Sequence, residues 1–281
     1  MRDDIRRPPP GLVSQDVSIA LAEDIGDGDV SARLIDKNTR FTTTVISREH
    51  AVLAGRPWFD ETFSQLDERV TVSWNSEDGD TIAPGQEVCR LEGPARAILT
   101  GERTALNFLQ TLSANATMAR AYCRAVEGTG TVILDTRKTI PGLRTAQKYA
   151  VRCGGASNHR KGLYDAFLIK ENHIAAAGSI TVAVKKAARE RPELMLEVEV
   201  ETLDQLDEAV SAGARRALLD NFELDMLREA VSRHGGRIEL EASGGVSLDT
   251  VHEIAATGVD FISTGELTKH VRAVDFSMRF R

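Results

Sequence analysis

The sequence predicts an α/β protein in two parts, an N-terminal α/β sandwich-like domain followed by a small α/β barrel. Three observations lead there. The chain changes character near residue 100, from strand-rich text with a few helices to a regular alternation. Beyond that point short apolar runs recur, separated by stretches of helical periodicity. Nearly every apolar run then ends in a cluster of polar side chains, as expected of a parallel sheet whose chemistry sits at one rim. A chain of 281 residues is long enough to bury one large core, or a large core with a satellite.

In the first part, β-rich stretches cover Phe41 to Ala54, Val70 to Trp74 and Gln86 to Glu92, the last following the turn Ala83-Pro84-Gly85. Helical patterns sit around Val17 to Glu23 and Trp58 to Leu66. Strands in runs with occasional helices suggest an α+β layer. The longest helical pattern follows, from Gly101 to about Val126, with Leu106, Leu109, Leu112, Ala116 and Ala119 at spacings of three and four.

The second part reads as parallel βα units. Apolar strands fall at Thr131–Asp135, Asp165–Lys170, Leu194–Val200, Arg215–Asp220, Arg237–Ala242 and Val259–Ser263. Helical segments follow at Ser179–Arg189, Leu203–Ala212, Glu223–His234 and Ser247–Thr257. About 150 residues with no obvious edge strand suggest a closed barrel rather than an open sheet. Six strands can be counted, and a seventh could lie near Asn158.

Composition narrows the function. A net charge near −7 argues against a general nucleic-acid binder. No apolar run approaches the roughly 20 residues that span a bilayer. The N-terminus, MRDDIRRPPPG, has no apolar core and reads as a frayed leader rather than a secretion signal. Cys89, Cys123 and Cys153 are widely spaced and odd in number, which suits a reducing cytoplasm better than a disulfide framework.

The strand ends carry the candidate chemistry. The first supplies Asp135, Arg137 and Lys138, the second Lys170, Glu171, Asn172 and His173. On the third, Glu197, Glu199 and Glu201 alternate with Leu196, Val198 and Val200, so period two puts the carboxylates on one face. If the aliphatics meet the helices, the carboxylates point into the barrel. Asp220 and Asn221 end the fourth strand, and Glu241 precedes Ser243-Gly244-Gly245 on the fifth. Ser263-Thr264-Gly265 closes the sixth. Any one of these could be a helix cap or a solvated edge charge. Their convergence on one rim is what favours a divalent metal and an anionic substrate, because so many unpaired buried charges would cost several kcal/mol. The two glycine-bearing loops follow the last two strands, where βα barrels bind phosphate through backbone N–H groups. Arg137, Lys138, Arg144, His159, Arg160 and Lys161 lie within 25 residues of an otherwise acidic chain. A basic run is more often a solvated face, but this one flanks strand ends and glycine turns. A pocket for a small polyanion is the better reading, arginine's planar fork matching a carboxylate.

These residues resemble the quinolinate phosphoribosyltransferase family. The resemblance rests on AEDIGDGDVSA at 22–32, GERTALNFLQTLSANAT at 101–117, LDTRKTIPGLRTAQKYAVRCGG at 134–155 and SNHRKGLYDAFLIKENHI at 157–174. It continues through LEVEVET at 196–202, LLDNF at 218–222, LEASGG at 240–245 and FISTGELTKH at 261–270. Two small departures are Ala156, where a third glycine is frequent, and Glu266, where alanine is common.

The resemblance implies a type II phosphoribosyltransferase fold: an N-terminal α/β domain over 1–114, a seven-stranded barrel over 115–269, and a tail, 270–281, returning to the first domain. It implies transfer of ribose 5-phosphate from phosphoribosyl pyrophosphate to quinolinate, with nicotinate mononucleotide, pyrophosphate and carbon dioxide as products. Magnesium is implied as cofactor. So is a cytoplasmic homodimer, or a higher oligomer built on it, with each site completed by the partner's N-terminal domain. By position, Arg137, His159 and Arg160 resemble the quinolinate carboxylate pocket, with Arg103 reaching in across the interface. Lys138 and Lys170 resemble ligands for substrate charge, and Glu199 and Asp220 the pair that holds the ribose hydroxyls and the metal. Ser243, Gly244, Gly245 and Gly265 would cradle the 5′-phosphate. Other readings stay open at this point. The substrate could be nicotinate or a related acid; the barrel could be an isomerase or aldolase using Lys170 as a Schiff-base lysine; or the chain could bind a ligand without turnover.

Overall fold

A computed structural model describes residues 8–280. The leader read at the N-terminus falls mostly on residues 1–7, outside that range, and Pro10 already opens a helix. The first elements are α1 (Pro10–Ile25), β1 (Arg40–Ser47), β2 (Ala51–Val52), α2 (Arg56–Leu66), β3 (Thr71–Trp74), β4 (Thr81–Ile82), β5 (Glu87–Pro94) and α3 (Ala95–Ala125). Next come β6 (Val132–Leu134), α4 (Arg144–Cys153), β7 (Ala166–Ile169), α5 (Glu171–Ala177), α6 (Ile180–Glu190), β8 (Met195–Val200), α7 (Leu203–Ala212) and β9 (Arg216–Asp220). The chain ends with α8 (Leu224–His234), β10 (Glu239–Ser243), α9 (Val251–Ala255), β11 (Phe261–Ser263), α10 (Glu266–Lys269) and β12 (Phe276–Phe280). None of the described helices is long and apolar enough to cross a membrane.

Two compact units emerge. The first takes residues up to Arg120, 139–155 and those from Leu267 on; the second takes Ala121–Lys138 and Ala156–Glu266. The expected boundary at 114/115 lies inside α3, and 139–155 clusters with the first unit although chain order puts it within 115–269. The reason is α4. It buries Ala146, Tyr149, Ala150 and Cys153 in one apolar cluster with Val13, Val17, Trp58 and Leu112.

In the first unit, an antiparallel sheet of order β12-β1-β5-β3 packs on α2 and α3. Val45, Leu91, Phe59, Phe63, Leu106 and Leu109 share that core with Phe276 and Met278 of the C-terminal strand. The sequence pattern starts α3 at Gly101, but the helix begins six residues earlier, directly after β5. Gly101 is an interior contact rather than a start: a Cβ there would stand 2.8 Å from Phe63 and 2.7 Å from Leu66. Tyr149 Oη donates to Asp78 at 2.6 Å, and burial pushes the Asp78 carboxyl up to about 6.

The second unit is a six-stranded parallel sheet of order β6-β11-β10-β9-β8-β7. Beyond β6, Ser157 makes an isolated parallel bridge with Leu134. That is the seventh stretch expected near Asn158, reduced to one bridge. Helices α6 and α7 contact β8, and Leu196, Val198 and Val200 are buried there. The register is direct: Glu197 faces Arg216, which faces Glu239, while Glu199 and Glu241 flank Leu218. Residues paired in this way share a face. The glutamates, Arg216, Asp220 and Ser243 therefore stand in successive layers, together with Leu218, on the face opposite Leu196, Val198 and Val200.

Candidate active site

The lowest layer of that face carries Glu197 and Arg216, the next Glu199 and Glu241, the highest Asp220 beside Ser243. A segment after the Ser157 bridge enters the same face. Asp135, buried at the end of β6, accepts the His159 backbone N–H at 2.8 Å and the Asn158 amide at 2.6 Å. With both its oxygens so used, Asp135 pins the turn and sends the His159 ring inward.

His159 Nε2 lies 2.8 Å from Glu197 Oε2 and 3.6 Å from Glu241 Oε2. Its Nδ1 accepts the Arg160 backbone N–H at 2.7 Å. A ring that accepts at Nδ1 carries its proton on Nε2, which then donates to Glu197. This decides how a notable cluster is read. The His159 nitrogen and one oxygen from each of Glu197 and Glu241 lie within 4.8 Å of one another, close enough to hold an ion. Yet a protonated Nε2 has no lone pair to give a metal. Arg216 also stands 3.5 Å from Glu241, over the Phe261 ring at 3.9 Å, and 2.8 Å from Glu239. The cluster is already internally compensated.

It is compensated at a cost. Glu197 is 2% and Glu241 0% exposed, and Oε1 of each has no hydrogen-bond partner. Burial, offset in part by Arg216 and by a hydrogen bond with Glu241, pushes Glu197 up to about 7. Burial and then the Glu197 charge push Glu241 up to about 8. Both carboxyls therefore favour their neutral form over the charged one.

Above this support, Lys170 pairs with Glu199. The residues expected at the carboxylate pocket divide. Arg160 is half-buried and its guanidinium is held below its ordinary value, first by burial and then by the nearby Arg137 charge. Two guanidiniums brought close enough to repel make a site suited to a dianion. Arg137 and Lys138 are exposed on the strand-end loop, where Lys138 N–H bonds Thr136 Oγ1 at 3.0 Å. His159 is turned inward with both ring nitrogens engaged, so it supports the pocket rather than presenting a ring nitrogen to it. Arg144, expected in the basic pocket, belongs to the first unit and donates to Thr139 Oγ1 at 3.1 Å. Arg103 also belongs to the first unit, exposed on α3.

The glycine loops differ from one another. Gly244 and Gly245 have φ of 98° and 59°, consecutive conformations that favour glycine. Such turns make concave rows of backbone N–H groups suited to an anion. Gly265 is not of this kind; Thr264 beside it is buried, its N–H bound to Leu134 O at 3.1 Å. The Thr264 hydroxyl reaches Val246 O at 3.4 Å, which ties the two loops together. Sequence reading named neither Arg216 nor the inward role of Glu241. Arg216 opens a strand, and nothing in a linear pattern separates it from a solvated charge.

Comparison with known proteins bears on this geometry. Residues 115–279 match the family model for the quinolinate phosphoribosyl transferase C-terminal domain, and residues 29–113 the one for its N-terminal domain. A probable nicotinate-nucleotide pyrophosphorylase [carboxylating] of Bacillus subtilis is 44% identical over 91% of this chain and 89% of its own length. The Mycobacterium leprae nicotinate-nucleotide pyrophosphorylase [carboxylating] is 42% identical over 92% of this chain and 94% of its own. The solved nicotinate-nucleotide pyrophosphorylase of Francisella tularensis superposes with a TM-score of 0.95 at 43% identity, covering 99% of both chains.

Proposed function

This chain belongs to the quinolinate phosphoribosyltransferase family, and on that premise we propose how its barrel carries out the reaction. The reaction is phosphoribosyl transfer from phosphoribosyl pyrophosphate to quinolinate with decarboxylation, a step of NAD biosynthesis. The observation that carries the residue assignment is the juxtaposition, in one barrel, of a repelling Arg137–Arg160 pair, a Lys170–Glu199 pair and a Gly244–Gly245 turn. A dicarboxylate, a ribose and a phosphate each find a matching surface.

Arg137 and Arg160 hold the two quinolinate carboxylates and aim the ring nitrogen at C1′, which is positioning rather than covalent chemistry. Asp135 and His159 serve that pair by fixing the turn from which Arg160 projects. Lys138 and Lys170 supply positive charge to the substrates. The ion pair with Glu199 uses Lys170 as a charge, which opposes its use as a Schiff-base nucleophile. Glu199 and Asp220 face the ribose as C1′ becomes oxocarbenium-like. Their oxygen donors at an accessible rim suit a hard cation, and these two residues would hold magnesium. Bound there, it would neutralise charge on the departing pyrophosphate. Alkylation leaves the ring nitrogen positive, and that charge stabilises the carbanion formed as the adjacent carboxylate leaves.

We further infer a homodimer in which Arg103 of one protomer completes the site of its partner; its exposure on α3 supports this. Cys89 and Cys153 are buried as thiols rather than joined in a disulfide, which supports a cytoplasmic location. The test is a steady-state assay with phosphoribosyl pyrophosphate, magnesium and either quinolinate or nicotinate, following pyrophosphate and carbon dioxide together. Equal release of both with quinolinate, none with nicotinate, and arrest by a chelator are expected. Turnover that persists in chelator would refute the magnesium assignment. Pyrophosphate from nicotinate alone would change the substrate.

A further inference from the structure

Asp220 and the Ser243–Gly245 turn do not stand independently. Between them lies Asn221, among the described residues the single non-glycine position with positive φ, at 55°. A left-handed conformation costs an L-residue roughly 1–2 kcal/mol, least for asparagine and aspartate. Strain of this kind persists where the surroundings demand it, often at functional sites. Here the surroundings are explicit. The Asn221 backbone N–H donates to Ser243 O at 2.9 Å, and its amide Nδ2 donates to Asp220 Oδ2 at 3.0 Å. The same amide fills the space over Gly244: a Cβ on Gly244 would lie 2.1 Å from Asn221 Oδ1 and 2.7 Å from its Cγ.

We infer that Asn221 is a positioning residue that fixes the Asp220 carboxylate and seats the Ser243–Gly245 turn against it. The inference rests on the site reading above, in which Asp220 faces the ribose and the turn cradles its 5′-phosphate. One side chain then sets the relation between two groups that must grip the same small molecule at once. By bonding one Asp220 oxygen, the amide settles the carboxylate rotamer and leaves Oδ1 for the ligand. Contact with Gly244 settles the amide in turn. Glycine at 244 is required by this contact as well as by its own φ of 98°.

Glycine at position 221 separates positioning from mere conformation. It accepts positive φ more readily than asparagine, so a purely structural role predicts that Asn221→Gly is as stable and as active as the parent. The inference predicts otherwise. With one charge-assisted hydrogen bond lost, KM for phosphoribosyl pyrophosphate should rise about tenfold or more. KM for quinolinate and the melting temperature should hold. Asn221→Asp keeps the size and the backbone tolerance but sets a second carboxylate against Asp220, and should raise the same KM at least as far. Asp220→Asn is the control on the underlying reading. If it lowers kcat/KM and Asn221→Gly leaves both KM values unchanged, the inference on Asn221 fails alone. If Asp220→Asn itself has no effect, the site reading fails with it.

Discussion

Replacing Glu241 by glutamine should change the pH dependence of stability in a direction that the buried cluster fixes. Glu241 is fully buried and its carboxyl is pushed from 4.5 up to about 8, first by burial and then by the neighbouring Glu197 charge. A carboxyl raised in the folded state binds a proton there that the unfolded chain has already released. Between those two values the native state holds more protons, so stability falls as pH rises. The contribution is complete below about 4.5 and gone above about 8. One proton is worth about 1.4 kcal/mol per pH unit. Allowing for partial ionisation near 8, the loss from pH 6 to pH 8 is about 2 kcal/mol, or about 4 °C in Tm for a chain of this size.

Glu241→Gln removes that titration. The glutamine amide can donate to Glu197 at every pH, whereas the Glu241 carboxyl can do so only while it keeps its proton, below about 8. Melting curves of parent and variant, taken by scanning calorimetry from pH 5 to pH 8.5, should converge at the acid end. They should diverge as pH rises, with the variant the more stable. Parallel Tm–pH lines would refute the reasoning, because they would mean that Glu241 does not gain a proton on folding.

Two further outcomes are expected. Arg103→Ala and Glu199→Ala chains should each be inactive alone, but unfolded together and refolded as a mixture they should recover about a quarter of the parent activity. Half the dimers are then mixed, each with one intact site of two; no recovery would place Arg103 in its own chain's site, and an Arg103→Ala chain active by itself would place it in none. Gly154→Ala should destabilise the protein by about 2 kcal/mol in denaturant melts, because its Cβ would fall 2.4 Å from Ala116 O and 2.5 Å from Ala119 Cβ. A neutral result would mean that α3 yields there.

The βα order of the second unit was legible because each strand is a short apolar run closed by polar residues, and all six strands fall within two residues of their sequence-derived bounds. Period-two alternation along 196–201 placed the glutamates on one face. It could not say which of them are enclosed: Glu197 is buried, Glu199 partly so, Glu201 exposed. That follows from how far each lies along the barrel, a property of register between strands. Helix α4 is not legible in the sequence. Its arginines and lysine, Arg144, Lys148 and Arg152, disguise an apolar face, and Lys148 is itself buried. Asn221 was visible as a strand-end polar residue, but its left-handed backbone is imposed by Gly244 and Ser243, more than twenty positions away.

The cost of the buried cluster bears on what stands above it. Taking Glu197, Glu241, Arg216 and His159 out of water is unfavourable, and an apolar plug of equal volume would fill the barrel at least as stably. What an apolar plug would not supply is orientation. His159 is held by hydrogen bonds at both ring nitrogens, and one of them is the backbone N–H of Arg160. Arg160 in turn stands close enough to Arg137 for the two charges to oppose each other. A repelling pair relaxes apart unless something rigid resists. Two directional bonds on an enclosed imidazole, with Asp135 clamping the same turn, provide that resistance. The lower layers are thus held by their own hydrogen bonds and ion pairs, and the Arg137 and Arg160 guanidiniums stand at the rim, where an incoming dianion relieves their mutual repulsion.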